Sequence, residues 1–304
     1  MNRVIIDCDP GIDDALALLL ACASPEIELM AVTAVSGNRS VETTARNAGR
    51  ILDAAGRRDV PVFNGCARPI ACSAPRWNLI HGEDGLGGVS LTAERHPAEQ
   101  HATDYIARTL LESEPNTVMI VALGPLTNLA LTEIKHPGLL KRAGPLLVMG
   151  GAAFCPGNVT PAAEFNFHAD ALAAHTVLTA GADVRLFGLD VTSRAIMPDG
   201  WISSFATMDT RCARATHNML RAYAARDPRL HDVCPVAYLL DPTLFSGESC
   251  CVSVDWRPGL TEGHLCAWSM SPESPPYPPN ARVFTHVDVE GLLALVRERI
   301  ARLP

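Results

Sequence analysis

Lysine is almost missing from this 304-residue chain: Lys135 and Lys141 are the only two, and no basic run takes their place. With a formal net charge of −8 at pH 7, a nucleic-acid surface or a polybasic membrane patch is not expected. No apolar run approaches membrane-spanning length, and Met1 leads into a strand-like stretch without a charged-then-apolar leader, so a soluble, cytoplasmic protein is expected. Aromatic residues are scarce as well, 5% beside 48% hydrophobic residues. The interior must therefore be built from Leu, Val, Ile and Ala, which suits a parallel sheet covered by helices. The ten cysteines include no C-x-x-C pair. Cys250 and Cys251 are merely adjacent, and Cys8 and Cys22 fall in apolar segments, which argues for reduced thiols rather than disulfides or a zinc site.

What the chain does have is concentrated negative charge near its start. "VIIDCDPGIDDALALLL" (4–20) places Asp7, Asp9, Asp13 and Asp14 between a strand-like run and an apolar helix-like run. Carboxylates so close together raise one another's pKa unless a cation sits among them. Pro10-Gly11 reads as a turn and Asp13-Asp14 as the first turn of a helix, where a carboxylate can cap free N–H groups. Capping uses one carboxylate, not four, so a cation site is the better reading.

Further along, strand-like stretches at 27–38, 60–65, 117–124, 145–151 and 183–190 alternate with helical ones at 41–55, 101–114, 126–134 and 169–180. Such alternation implies right-handed crossovers and a mostly parallel, open, Rossmann-like sheet flanked by helices, an α/β class. Helices are expected at 199–208, at 211–225, from about Asp232 and at 288–302. β-like pieces are expected at 250–256 and 281–287, around a proline-rich loop at 271–280. No linker or repeat appears, so one domain over 1–304 is expected. Ligands of open α/β sheets bind outside the carboxyl ends of the strands. Asp7, Asp9, Asn38, Gly124, Gly150-Gly151 and Asp190 all fall at such ends.

Six blocks then carry a resemblance: "DCDPGIDDALA" (7–17), "VSGN" (35–38), "HGEDGLGG" (81–88), "ALGPLTNLA" (122–130), "MGG" with "GNVTPAAEFN" (149–166) and "HDVCPVAYLLDP" (231–242). In this order they resemble the inosine-uridine preferring nucleoside hydrolases. The resemblance implies a calcium-dependent N-ribohydrolase of nucleoside salvage, commonly a homodimer or homotetramer, that releases ribose and a free purine or pyrimidine base. It implies Ca2+ ligation by Asp9, Asp14, the Leu123 carbonyl and Asp232, with Asp9 also the base that activates water and Asn38 beside that water. Asp13 and Asn166 would meet the 2′-hydroxyl, Glu164 and Asn158 the 5′-hydroxyl, and Met149 the face of the sugar; Asp232 would also touch the ribose. His231 would protonate the leaving base. His81 would contact the base or order its loop, and Tyr223 and His217 could reach the base from their helix. The chain departs from the family in having Leu123 where Thr is common, and Trp268-Ser269 near a position that is often acidic.

Two other readings stand beside this one. A strand ending in D-x-D also opens haloacid-dehalogenase phosphatases, but here "PGIDD" follows and neither lysine has the expected setting. A catalytically inactive ribose- or nucleoside-binding protein would have lost Asp9, Glu164, Asn166 or His231, all of which are present.

Overall fold

In the computed structural model the described residues are 1–72, 74–92, 95–269 and 278–304. Residues 271–277 of the expected proline-rich loop lie outside them. The layout grows from β1 (Asn2–Cys8), whose side chains alternate between two hydrophobic layers. Val4, Ile6 and Cys8 join one and Ile5 the other, as the two-residue period of a strand buried on both faces requires. The chain continues through α1 (Ile12–Cys22), β2 (Ile27–Ala34), α2 (Val41–Ala54), β3 (Val62–Asn64), α3 (Ala102–Glu112), β4 (Val118–Ala122), α4 (Thr127–Lys135) and β5 (Leu146–Met149). Then come α5 (Phe165–Ala169), α6 (Ala171–Thr179), β6 (Val184–Phe187), α7 (Leu189–Thr192), α8 (Asp199–Ser204), α9 (Arg211–Ala224) and α10 (Val233–Leu240). β7 (Phe245–Val254), β8 (Leu265–Ser269), β9 (Ala281–Val287) and α11 (Val289–Ile300) follow.

The strands form one sheet in the order β3-β2-β1-β4-β5-β6-β9-β7-β8. Every pair from β3 to β9 is parallel; β7 is antiparallel to both β9 and β8. The fold is thus a single-domain α/β fold with a mostly parallel open sheet, as expected. Helices α1, α2, α9, α10 and α11 cover one face, and α3, α4 and α6 the other. α1 is buried from Ile12 to Ala21, because it packs on the sheet while α2, α9, α10 and α11 surround it. No helix among the described residues is long and apolar enough to cross a membrane.

Several boundaries differ from expectation for local reasons. β2 ends at Ala34, so Asn38 sits four residues beyond it in the turn that leads to α2. β6 ends at Phe187, and Asp190 belongs to the short α7. There its carboxylate accepts from the Ala153 and Phe154 N–H groups at 2.8 and 2.7 Å, so it ties down a loop. β7 starts at Phe245, earlier than the β-like stretch suggests, and β8 was not expected at all. Trp268 and Ser269 lie exposed on β8, and a half-exposed strand with little alternation leaves only a weak pattern.

Where β6 meets β9, Phe187 is fully buried and stacks on Phe284 at 4.4 Å, with Phe245 and Tyr238 each 5.5 Å from the Phe187 ring. These rings join the parallel sheet to its antiparallel extension. Phe187→Ala should lower the urea-measured unfolding free energy by about 3–5 kcal/mol. A loss below about 1 kcal/mol would show that the seam relaxes to fill the gap.

Candidate active site

The order β2-β1-β4 makes a topological switch point at β1, where the crossovers turn to opposite sides, and such points leave a crevice at the strand ends. Into it project Asp9, just beyond β1, Leu123, just beyond β4, and Met149, the last residue of β5. The Leu123 N–H donates to the Asp7 carbonyl at 2.8 Å, which carries the β1–β4 ladder to the crevice floor. The cavity is also lined by Asp13, Asn38, Asn78, Ile80, His81, Asn158, Glu164, Phe165, Asn166, Tyr223, Asp227, His231 and Asp232.

Two glycines make room for Asp9. A Cβ on Gly37 would fall 2.1 Å from Asp9 Oδ2, and one on Gly124 would fall 2.3 Å from Oδ1. The Asn38 N–H donates to Asp9 Oδ2 at 2.5 Å, and the Asn38 side-chain amide donates to the Asp9 carbonyl at 3.1 Å and to Asp14 Oδ2 at 3.3 Å. Asp14 Oδ2 also accepts from the Gly11 N–H at 2.8 Å, the reciprocal arm of a capping box. Asp14 therefore does cap α1, with one oxygen. Its Oδ1, like Asp13 Oδ1, is buried and has no hydrogen-bond donor among the described residues. Asp232 lies at the N-cap position of α10, yet its side chain makes no capping bond.

Asp13, Asp14 and Asp232 each place a carboxylate oxygen within 4.8 Å of the others, and all three are buried. Burial, and then the charge of Asp13, pushes the Asp14 carboxyl up to about 7. Asp9 is raised by burial and by Asp14, and Asp232 by burial and by Asp13, Asp14 and Asp9. Hard carboxylate oxygens, crowded and partly without donors, suit a divalent cation such as Ca2+. Asp13, expected at the ribose, belongs to this cluster as well. The Leu123 carbonyl accepts from the Asn166 amide at 2.8 Å, and so does the Met149 carbonyl at 3.1 Å.

Asp7 goes elsewhere. β1 ends at Cys8, so Asp7 and Asp9 do not share a strand face. Asp7 Oδ1 accepts from Thr33 at 2.5 Å and from Asn128 at 2.8 Å, and burial pushes its carboxyl up to about 7. It supports the sheet and does not line the cavity.

Glu164 caps α5. Its carboxylate accepts from the N–H groups of Asn166 (2.8 Å), Gly151 (2.9 Å) and Phe167 (3.2 Å), although burial still raises its pKa. Asn158 Oδ1 accepts from the Phe165 N–H at 3.0 Å. His81 Nδ1 faces the Ile12 N–H at 3.1 Å, so Nδ1 is the acceptor and the neutral ring carries its proton on Nε2. Burial lowers the His81 pKa further. Its ring stacks on Tyr223 at 5.2 Å, and the Tyr223 hydroxyl donates to Asp13 Oδ2 at 3.4 Å. His231 bridges Thr192 Oγ1 at 2.8 Å and Asp227 Oδ2 at 3.2 Å. Burial would raise Asp227, but His231 and then Arg229 hold it below its usual value.

Every expected site residue except Asp14 and His217 lines the cavity, and Asp14 belongs to the carboxylate cluster that Asp13 and Asp232 share with it. His217 does not line it: its Nδ1 lies 3.1 Å from the Ile202 carbonyl. Four lining residues were not anticipated. Asp227 was detectable from its spacing four before His231, whereas Asn78, Ile80 and Phe165 have no local signature.

Residues 4–294 match the family model for the inosine-uridine preferring nucleoside hydrolase. The chain belongs to that family. A pyrimidine-specific ribonucleoside hydrolase RihA of Photobacterium profundum is 39% identical, with 99% of each chain covered. An inosine-uridine preferring nucleoside hydrolase of Crithidia fasciculata is 34% identical, covering 99% of this chain and 98% of its own. Among solved structures, the plant nucleoside hydrolase PpNRh1 superposes with a TM-score of 0.93 at 32% identity, with 99% of each chain covered. A purine-preferring ribonucleoside hydrolase from Gardnerella vaginalis gives 0.91 at 29% identity, covering 99% of this chain and 98% of its own. The phosphatase alternative falls away: this nucleoside hydrolase is an enzyme of ribonucleoside hydrolysis, and neither Lys135 nor Lys141 lines its cavity.

Two outcomes follow for the hydrolase. Gly124→Ala forces Asp9 aside and should cut turnover by about 100-fold, the scale on which a displacement of about 1 Å within a site is felt; activity near wild type would show that Asp9 is not held by this contact. Asp7 and Asp14 have folded values of about 7, above the unfolded value near ~3.9. Their contribution to stability is thus complete below that unfolded value and lost as pH rises through about 7. After treatment with a chelator, the urea midpoint should be lower at pH 8 than at pH 5, and CaCl2 should restore it at pH 8. A midpoint indifferent to Ca2+ at pH 8 would count against a cation among these carboxylates.

Proposed function

We propose that the chain hydrolyses the N-glycosidic bond of purine or pyrimidine ribonucleosides to ribose and free base, with Ca2+ held by Asp9, Asp14, Asp232 and the Leu123 carbonyl. Asp13 stands close enough to share the ion. The observation that supports this most is the buried carboxylate cluster opening onto a cavity lined with amide and carboxylate groups. When bound, the cation supplies Lewis acidity on the sugar side and balances the carboxylate charge.

The chain's own groups account for the rest. Asp9 takes a proton from a water whose oxygen forms the new bond to the anomeric carbon, with Asn38 beside that water. The carbon–nitrogen bond breaks with its electron pair on the base nitrogen, and His231 gives that base a proton. Positive charge developing on the sugar is stabilised by the surrounding carboxylates. Asp13, Asp232 and Asn166 meet the ribose near its 2′-hydroxyl, Glu164 and Asn158 meet the 5′-hydroxyl, and Met149 packs on the sugar. His81 and Tyr223 face the base. Residues 1–304 act as one catalytic domain. Nucleoside salvage and a homodimeric or homotetrameric state, which rest on the family resemblance alone, complete the reading, together with the cytoplasmic location expected from the sequence.

A reducing-sugar assay against inosine, uridine, cytidine, adenosine and guanosine, each beside its 2′-deoxy form, tests the reaction. Ribose release is expected, with deoxy forms slower by about 100-fold or more, because a missing hydroxyl leaves buried polar groups unpaired; no release from any nucleoside would sink the proposal. His231→Ala should slow natural nucleosides by about 100-fold or more while leaving p-nitrophenyl riboside, whose leaving group needs no acid, within about threefold. Equal losses on both would remove His231 as the leaving-group acid.

A further inference from the structure

Part of the cavity wall is assembled from two segments far apart in sequence. Asn78, Ile80 and His81 come from a tight turn at Leu79–His81, and Tyr223, Asp227 and His231 come from the end of α9 and the connection after it. The carbonyls of this turn are all engaged. Those of Leu79 and Ile80 accept from Arg226 Nη1 at 2.8 and 3.1 Å, that of His81 from the Gly87 N–H at 2.9 Å, and that of Gly82 from Arg39.

The two arginines differ in setting. Arg39 is 7% exposed, at the end of the turn that His81 also anchors through Ile12 and Tyr223. Arg226 is solvent-exposed, at the end flanked by Trp77 (53% exposed) and Leu79 (65% exposed). Moving the Gly82 end would uncover a buried guanidinium, whereas the turn's own carbonyls at the Leu79 end are held by two bonds from one surface side chain, with Arg76 upstream tied separately to the His168 carbonyl and Glu262. The turn is thus hinged at Arg39 and fastened at Arg226.

We propose that Arg226 is a positioning residue that fastens the Leu79–His81 turn to the end of α9 and so sets the base-side wall of the cavity. The inference rests on the nucleoside hydrolase reading, in which His81 and Tyr223 face the base, and Ile80 lines the same cavity. Both bonds come from one nitrogen, Nη1; its charge strengthens them relative to a neutral donor, and solvent screening at this exposed side chain reduces that gain.

The test is Arg226→Ala in the full chain. KM for the preferred ribonucleoside should rise about tenfold with kcat within about threefold, while inhibition by free ribose, which meets only the sugar side, stays within twofold. An unchanged KM would overturn the proposal. So would equal weakening of nucleoside and ribose, since that signals general distortion of the site. Hydrogen exchange supplies a readout that needs no catalysis: the 77–82 segment should exchange faster in Arg226→Ala, while 145–151 stays as in wild type. Unchanged exchange in 77–82 would overturn the fastening itself. A wild-type protein that hydrolyses no ribonucleoside would instead overturn the functional reading, and exchange would still decide whether Arg226 fastens the turn.

Discussion

Negative charge held out of water at the carboxyl ends of parallel strands is the constraint on which the rest depends. Asp9, Asp13, Asp14 and Asp232 are all buried, and their mutual repulsion is unfavourable unless a positive charge stands among them. The neighbouring architecture serves this arrangement. Gly37 and Gly124 leave space for the Asp9 carboxylate, Asn38 and Gly11 donate to it and to Asp14, and α1 directs its N-terminus at the cluster. Asp232 arrives from more than two hundred positions along the chain, so the cluster exists only when β1, α1 and α10 are packed together. The site and the fold are stabilised by the same contacts.

Legibility in the sequence followed periodicity and motif density. Strands β1, β4 and β5 were readable because strands buried on both faces are nearly continuous apolar runs, and the α/β class followed from their alternation with helices. The family was readable because six motif blocks stand in order. Asp7 and Asp9 look equivalent in "DCD", but β1 ends between them, so one faces Thr33 and Asn128 while the other enters the crevice. Asp190 was misplaced because "DVRLFGLD" reads as one strand, although the last residues turn into α7. Asn78, Ile80 and Phe165 reach the cavity through loop geometry, which no local spacing encodes.

Capping and ligation need not compete. Asp14 caps α1 with one oxygen and leaves the other buried without a donor, while Asp232 occupies an N-cap position without capping. A carboxylate has several lone-pair sites, so a single residue can secure a helix terminus and still face a cation. Glu164 shows the same economy: its carboxylate gathers three backbone N–H groups that join the exit of β5 to α5, and it lines the cavity as well.

The sheet order also bears on how the chain is assembled. β9 lies between β6 and β7, although both are made before it. During synthesis the β7–β8 hairpin therefore has no place to dock, and β6 presents an unpaired edge until residues 281–287 have emerged. An exposed parallel edge and a stranded hairpin are hazards for mispairing between nascent chains. The ring cluster of Phe187, Tyr238, Phe245 and Phe284 is completed only when Phe284 on β9 is in place, which makes that late strand the keystone of the antiparallel half.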